Sequence, residues 1–150
     1  MMRSFILNFL CVISLTSFVL CIERTDDELE TMKTYAEPCF GKDGTTEDDF
    51  MHMFKENNDP ETPAQKCLIT CMQERVSIIK ENKFDPENFK SIMKAASRET
   101  SYVTIIDDIA KECESVTDDD RCELGYKLGL CYKEIAEKHG ADFDKMQAGE

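Results

Sequence analysis

Eight cysteines occur in the 150-residue chain. Six of them, Cys39, Cys67, Cys71, Cys113, Cys122 and Cys131, are separated by 27, 3, 41, 8 and 8 residues. Thiols bind metal, act as nucleophiles or oxidise to disulfides, and their surroundings decide which. Metal binding and nucleophilic catalysis both need partners that this chain hardly supplies. Its only histidines are His52 and His139. A Cys/His or Ser/His/Asp set would need one of them, and zinc would need free thiols or clustered histidines. Carboxylates abound, but in so acidic a chain their pairing is weak evidence for acid–base work. The run Asp118-Asp119-Asp120 lacks the spaced ligands and the glycine of a calcium loop. No enzyme activity, metal or cofactor is expected. An even set of thiols behind an apolar N-terminal segment points to the third chemistry, a disulfide framework.

Disulfides need an oxidising compartment, and residues 1–21 read as the route to one. Arg3 is the only charge among the first 22 residues, and an apolar stretch runs from Phe5 to Leu20. With Val19 and Cys21 before the expected cut, this is the pattern of a secretory signal peptide. As a membrane anchor the run would be near the lower length limit for a span. Cleavage after Cys21 removes Cys11 and Cys21 and leaves six cysteines with no odd thiol. The mature chain, residues 22–150, has the length of one domain and no second apolar run of membrane length. It is expected to be secreted, extracellular and not inserted in a membrane. Without Arg3 it carries 17 basic against 31 acidic residues, a net charge of −14. That charge disfavours nucleic acid and anionic membrane surfaces as partners, and suits a soluble monomer or weak dimer. No Asn-x-Ser/Thr glycosylation acceptor is present.

The cysteines have to be positioned by helices. No strand alternation of useful length and no Asn-Gly or Asp-Gly hairpin occurs in the mature chain. A first helix is predicted over 26–37, with Leu29, Met32, Lys33 and Ala36 along one side, stopped by Pro38 and the glycines 41 and 44. Thr45 or Thr46 caps a short second helix with Phe50, Met51 and Phe54 as its apolar face. Thr62-Pro63-Ala64-Gln65 is a capping box with proline at the first helical position, and the third helix follows to about Lys80. Asp85-Pro86-Glu87 starts a fourth, with Phe89, Ile92, Met93 and Ala96 as its stripe. The fifth is predicted over 98–113, with Tyr102, Ile105, Ile106 and Ile109 inward. Thr117 or Asp118 caps the sixth, over 119–139, whose stripe is Leu124, Leu128, Cys131 and Ile135. Gly140 stops it, and 141–150 form a tail.

Helical geometry then restricts the pairing. Cys67 and Cys71 are four apart and share a face, so they reach two different partners rather than each other. Cys122 and Cys131 are nine apart, which at about 100° per residue puts them on opposite sides of the sixth helix. That helix lies between two neighbours, and Cys113 at the end of the fifth returns near one of its partners. Six cysteines allow 15 connectivities, and spacing alone does not choose among them.

One cysteine, a long gap, Cys-x3-Cys, a gap near forty and Cys-x8-Cys-x8-Cys resembles the insect odorant-binding and pheromone-binding proteins. The resemblance covers the whole mature chain. It implies pairing of the first cysteine with the third, the second with the fifth and the fourth with the sixth: Cys39–Cys71, Cys67–Cys122 and Cys113–Cys131. It further implies an all-α fold, six helices stapled by three disulfides around an internal apolar cavity. The ligand would be a small hydrophobic molecule, an odorant, a pheromone or a lipid-like compound, carried through aqueous lymph towards an olfactory receptor. The same scaffold serves in saliva, haemolymph and reproductive secretions, where it scavenges or transports lipid-like mediators. A third class is a secreted interaction or defence protein with a filled core. The residues expected at the ligand are Phe50, Phe54, Met72, Val76, Phe89, Met93, Ile105, Ile109, Leu128, Tyr132 and Phe143, with Ile79, Ile92, Ile106 and Ile135 as further wall candidates. The same stripes would equally suit ordinary core. Met51, Met53, Met72 and Met93 adapt their shape to varied ligands, and Tyr102, Tyr126 or Tyr132 can offer a hydroxyl.

The tail carries Phe143 and Met146 among acids. Ten extended residues reach about 30 Å, far enough to cross a domain of this size and act as a lid. Acid, by neutralising carboxylates and charging His139, would then favour release. Peptide mapping of the secreted protein is expected to find no free thiol and the three bridges named above. A Cys67–Cys71 bridge or a reactive thiol at Cys113 would contradict the framework.

Overall fold

Local side-chain chemistry sets where most of the helices begin. A computed structural model describes residues 26–56, 58–97 and 101–143. In it, the Thr62 hydroxyl accepts from the Gln65 amide, and Gln65 Oε1 accepts from the Thr62 amide at 3.1 Å, with Pro63 next to the cap. This satisfies amides that a helix start leaves without an internal partner. Thr46 and Asp49 form the same reciprocal pair. Asp85 accepts from the Asn88 amide ahead of Pro86.

Six α-helices result among the described residues: α1 (Asp26–Ala36), α2 (Glu47–Phe50), α3 (Pro63–Arg75), α4 (Pro86–Ala96), α5 (Tyr102–Glu112) and α6 (Arg121–Lys138). Short 3-10 turns follow α1 (Glu37–Cys39) and α5 (Cys113–Ser115), and α2 continues as a wider π turn over Met51–Lys55. The cap of α6 is Asp120, which accepts from the Cys122 and Glu123 amides. The earlier position, Asp118, is engaged elsewhere. It binds Lys127 and accepts from the Asp120 amide, and these contacts hold its carboxyl below the usual range.

Three expectations are corrected. The third helix ends at Arg75 rather than near Lys80. Ser77 adopts φ +59, and Ile79–Lys80 (β1) pairs antiparallel with Lys83–Phe84 (β2). The turn between these strands uses positive φ at both Glu81 and Asn82, so it needs no glycine, and Asn82 anchors it by donating to the Asp118 carbonyl. The fold is all-α with this one small hairpin among the described residues. Glu37 sits in the 3-10 turn rather than in α1, and Ala96 is exposed rather than on the buried stripe of α4. The predicted start of the fifth helix at Arg98, the signal segment 1–21 and the tail beyond Phe143 lie outside the described residues.

Disulfides join Cys39 to Cys71, Cys67 to Cys122 and Cys113 to Cys131, with Cα atoms 6.0, 4.4 and 6.0 Å apart. These are the pairs that the odorant-binding resemblance implies. The first ties the end of α1 to α3, the second α3 to α6, the third the end of α5 to α6. The buried side chains form two apolar clusters. The larger contains Phe89, Met93, Ile106, Ile109, Leu124, Leu128 and Tyr132; the smaller contains Ala36, Phe50, Met53 and Leu68.

The clusters are joined where α3 lies against α6, and that contact is unusually close. A Cβ on Gly125 would fall 2.1 Å from Thr70 Oγ1 and 2.8 Å from Thr70 Cα. Thr70 shares its hydroxyl hydrogen between the carbonyls of Lys66 (2.9 Å) and Cys122 (3.2 Å). Gln73 Nε2 donates to the Gly125 carbonyl at 3.1 Å. At the rim Arg121 grips both Glu74 oxygens and Asp43, and Lys66 pairs with Glu123 at 2.8 Å. Gly125→Ala is expected to destabilise the protein by about 1–3 kcal/mol, because the added methyl meets backbone that cannot move aside. Gly129→Ala, one turn along the same helix, meets nothing within 4 Å and should stabilise it by up to about 1 kcal/mol. Chemical unfolding of the two variants checks both signs.

Candidate functional site

Where the two apolar clusters face each other they do not fill the space between them. A cavity of about 360 Å³ remains, within the size range of small-molecule sites. α3 turns Ile69, Met72 and Gln73 toward it, and α4 presents Phe89 and Met93, four residues apart on one helical face. α6 contributes Gly129, Tyr132 and Lys133. Met32 from α1 and Met53 and Phe54 from the π turn close the far side, and Ile78 and Phe143 complete the wall. Four of these residues are methionines, whose flexible thioethers conform to irregular ligands. Asn58, Asp59 and Pro60 form the rim, where Lys133 Nζ lies 3.7 Å from Asp59. A second recess of about 440 Å³ runs along the end of α6, lined by Glu137, Gly140, Ala141 and Asp142, and shares Lys133 and Phe143 with the cavity.

Aromatic packing holds one wall rigid. The Tyr132 ring is 4.7 Å from Phe89, 5.8 Å from Phe84 and 5.4 Å from Phe143, centroid to centroid. Such spacing is favourable for tilted ring pairs. It draws the phenol inside, and burial pushes its ionisation well above the ordinary range, so Tyr132 stays neutral. Neither Tyr132 Oη nor Gln73 Oε1 has a hydrogen-bond partner among the described residues.

The cavity brings together Phe54, Met72, Phe89, Met93, Tyr132 and Phe143 of the residues expected at the ligand. The others lie elsewhere. Phe50 is fully buried in the smaller cluster, 4.9 Å from the Phe54 ring. Ile109 and Leu128 are fully buried in the larger cluster, and Val76 and Ile105 pack against its edge. Of the further wall candidates, Ile79, Ile106 and Ile135 are likewise core and Ile92 packs on it. Tyr102 is partly buried against that core, and Tyr126 lies under the Lys66 ammonium at 4.4 Å. Helical period marks a face as inward but does not say whether a helix or a void lies opposite. Sequence reasoning missed Met32, Ile69, Gln73, Ile78, Gly129 and Lys133 at the wall. A usable signal was the pair Gly125-x3-Gly129 inside a helix, since interior glycine weakens a helix and marks a packing need.

Two further groups bear on chemistry. Asp43, Cys67 and Cys122 come within 4.8 Å of one another, but both sulfurs are committed to the disulfide and cannot act as thiolate ligands. His139 Nε2 lies 3.3 Å from Asp108 of α5. No described helix is long and apolar enough to cross a membrane.

The sequence pattern of the PBP/GOBP family matches residues 22–135. The chain belongs to that family. Its members are binding carriers rather than enzymes. General odorant-binding protein 28a of Drosophila melanogaster is 30% identical over 123 residues, spanning 78% of this chain and 85% of the relative. The solved structure of the odorant-binding protein dmelOBP28a from Drosophila melanogaster superposes with a TM-score of 0.63 at 28% identity, covering 76% of this chain and 96% of that one. At 18% and 20% identity, two more structures share the fold of this PBP/GOBP protein. The fatty acid binding protein OBP56a from the oral disk of the blowfly Phormia regina has a TM-score of 0.62 and coverages of 78% and 98%. Odorant Binding Protein 7 of Anopheles gambiae, with four disulfide bridges and an azo compound bound, has a TM-score of 0.59 and coverages of 84% and 97%.

The cavity geometry predicts the effect of filling it. Met93→Trp narrows it from α4 and is expected to weaken a hydrophobic fluorescent probe roughly tenfold, about 1.4 kcal/mol. Leu130→Trp on the exposed face of α6 should leave affinity unchanged. Probe titration of the two variants makes the comparison.

Proposed function

We propose that this protein is a secreted, non-enzymatic carrier that holds a small hydrophobic odorant, pheromone or lipid-like molecule in the cavity and conveys it through aqueous lymph to an olfactory receptor. The observation that carries the proposal is the unfilled, methionine-lined space between two disulfide-tied apolar clusters. An apolar cavity of this kind hosts an apolar guest at little desolvation cost. The family's nature as binding carriers supports the reading, as do the fatty acid and the azo compound named for two proteins of the same fold. Phe54, Met72, Phe89, Met93, Tyr132 and Phe143 are the proposed ligand contacts. The strong negative charge of the chain would keep the loaded carrier dispersed and away from anionic surfaces.

The tail is proposed as a lid. The support is Phe143, which packs on Tyr132 and forms part of the wall. Two measurements test the proposal. A hydrophobic fluorescent probe should bind and be displaced by odorants or fatty acids; a protein that binds neither is not a carrier. Deleting 140–150 should speed ligand release and abolish any weakening of binding at acidic pH. Unchanged affinity and pH response after the deletion would show that the tail is no lid.

A further inference from the structure

The cavity and the recess at the end of α6 follow one another along the same face of that helix. Gly129 and Lys133 line the cavity, and Lys133 and Glu137 line the recess. The three are spaced i, i+4 and i+8, so they form one stripe about 12 Å long. Two residues border both spaces, Lys133 and Phe143, and a residue that borders two spaces stands between them. Lys133 belongs to the stripe itself and carries its ammonium to the rim, 3.7 Å from Asp59. The apolar partition is therefore the Phe143 ring.

The end of α6 fixes that ring in place. Gly140 adopts φ +70, its amide donates to the Glu137 carbonyl at 2.9 Å, and the Ala141 amide donates to the Ala136 carbonyl at 2.9 Å. This pair of bonds is a glycine-terminated helix end, which reverses the chain. Ala141 then packs against the larger apolar cluster, of which Ala136 is a member. The reversal lays Phe143 on Tyr132, with ring centroids 5.4 Å apart. Tyr132 is itself held by Phe84 and Phe89, so the partition rests on a rigid support. Met32 and Met53, on the far side of the cavity, have no such second space behind them: they line the cavity and not the recess.

We propose that Phe143 sets the length of the molecule carried: its ring stops a straight apolar chain at the end of the cavity, and the recess behind it is where a longer chain would extend. The inference rests on the carrier reading above and adds the residue that determines its size selectivity. Each methylene that fits inside removes apolar surface from water and adds affinity. The first one that meets the ring must push it off Tyr132 or remain in water. The recess bears the carboxylates of Glu137 and Asp142, which repel an anionic end group, so the chain suited to this path ends in an uncharged group.

The test displaces one hydrophobic fluorescent reporter from the mature protein with octyl, decyl, dodecyl, tetradecyl and hexadecyl acetate. In the unaltered protein, affinity should rise with chain length, pass through a maximum within the series and fall roughly tenfold by the longest chain. Phe143→Ala should move the maximum to a longer chain, and Phe143→Trp, which thickens the partition, to a shorter one. Met53→Ala also enlarges the cavity, but away from the recess, and should move the maximum less than Phe143→Ala does. Thermal melts establish that each variant is folded; the tryptophan variant keeps an aromatic contact with Tyr132 and tests the proposal by itself if the alanine variant unfolds. No maximum in the unaltered protein, a maximum that stays in place in the folded Phe143 variants, or one that Met53→Ala shifts as far, would overturn the length limit while the carrier reading stands. If neither the reporter nor any acetate binds, the carrier reading fails and the length limit with it.

Discussion

The rest of the structure depends on the close approach of α3 and α6 at Thr70 and Gly125. No side chain larger than hydrogen fits on α6 at that point, and the Thr70 hydroxyl bonds across to the Cys122 carbonyl. The Cys67–Cys122 bridge crosses the same contact, with its Cα atoms only 4.4 Å apart. One apolar cluster builds on each side of this joint: α1, α2 and their turns against α3, and α4 and α5 against α6. Because the helices meet so closely at Gly125, the hydrogen bond from Gln73 to the Gly125 carbonyl becomes possible, and the wall beyond it passes through Gly129 and Tyr132 into open space.

An unfilled space is destabilising, since its lining atoms forgo packing contacts that a filled core would supply. The three disulfides supply a counterweight. They close sequence separations of 32, 55 and 18 residues, and chain-entropy reasoning assigns each roughly 3–4 kcal/mol through restriction of the unfolded chain. This stabilisation acts on the unfolded ensemble and so does not require the native core to be dense. A small disulfide-tied domain can thus keep a void that a reduced protein of this size would tend to collapse. The ring packing of Phe84, Phe89, Tyr132 and Phe143 adds local stiffness on the side where a polar group is buried.

Much of the helical architecture was legible because its signals are short-range. Thr62-Pro63-Ala64-Gln65 and Asp85-Pro86 mark helix starts through bonds that span three residues, and the structure makes those bonds. The hairpin over 79–84 was not legible. Its strands are two residues long, too short to alternate, and its turn places Glu81 and Asn82, not glycine, in the left-handed region. At the site, Phe89 and Met93 read as inward and line the cavity, while Ile109 and Leu128 read the same way and are plain core. The same periodicity produced both outcomes, because it reports the side of a helix and not the distance to whatever lies opposite. Gln73 and Gly129 were passed over for the contrary reason: a polar residue and a glycine do not look like parts of an apolar wall.

What the sequence determined by itself was the chemistry of the cysteines, the number and rough limits of the helices, and, through the intervals between the thiols, the resemblance to odorant-binding proteins. These follow from composition and from contacts a few residues apart, which a linear chain displays directly. Only the tertiary structure decided which inward-facing residues border a void, that Thr70 demands glycine at 125, and that Gln73 and Gly129 join the apolar side chains around one cavity. Those facts depend on how closely two helices approach and on what fails to fill the gap between them. Such distances arise between residues far apart in the chain, and no spacing along it encodes them.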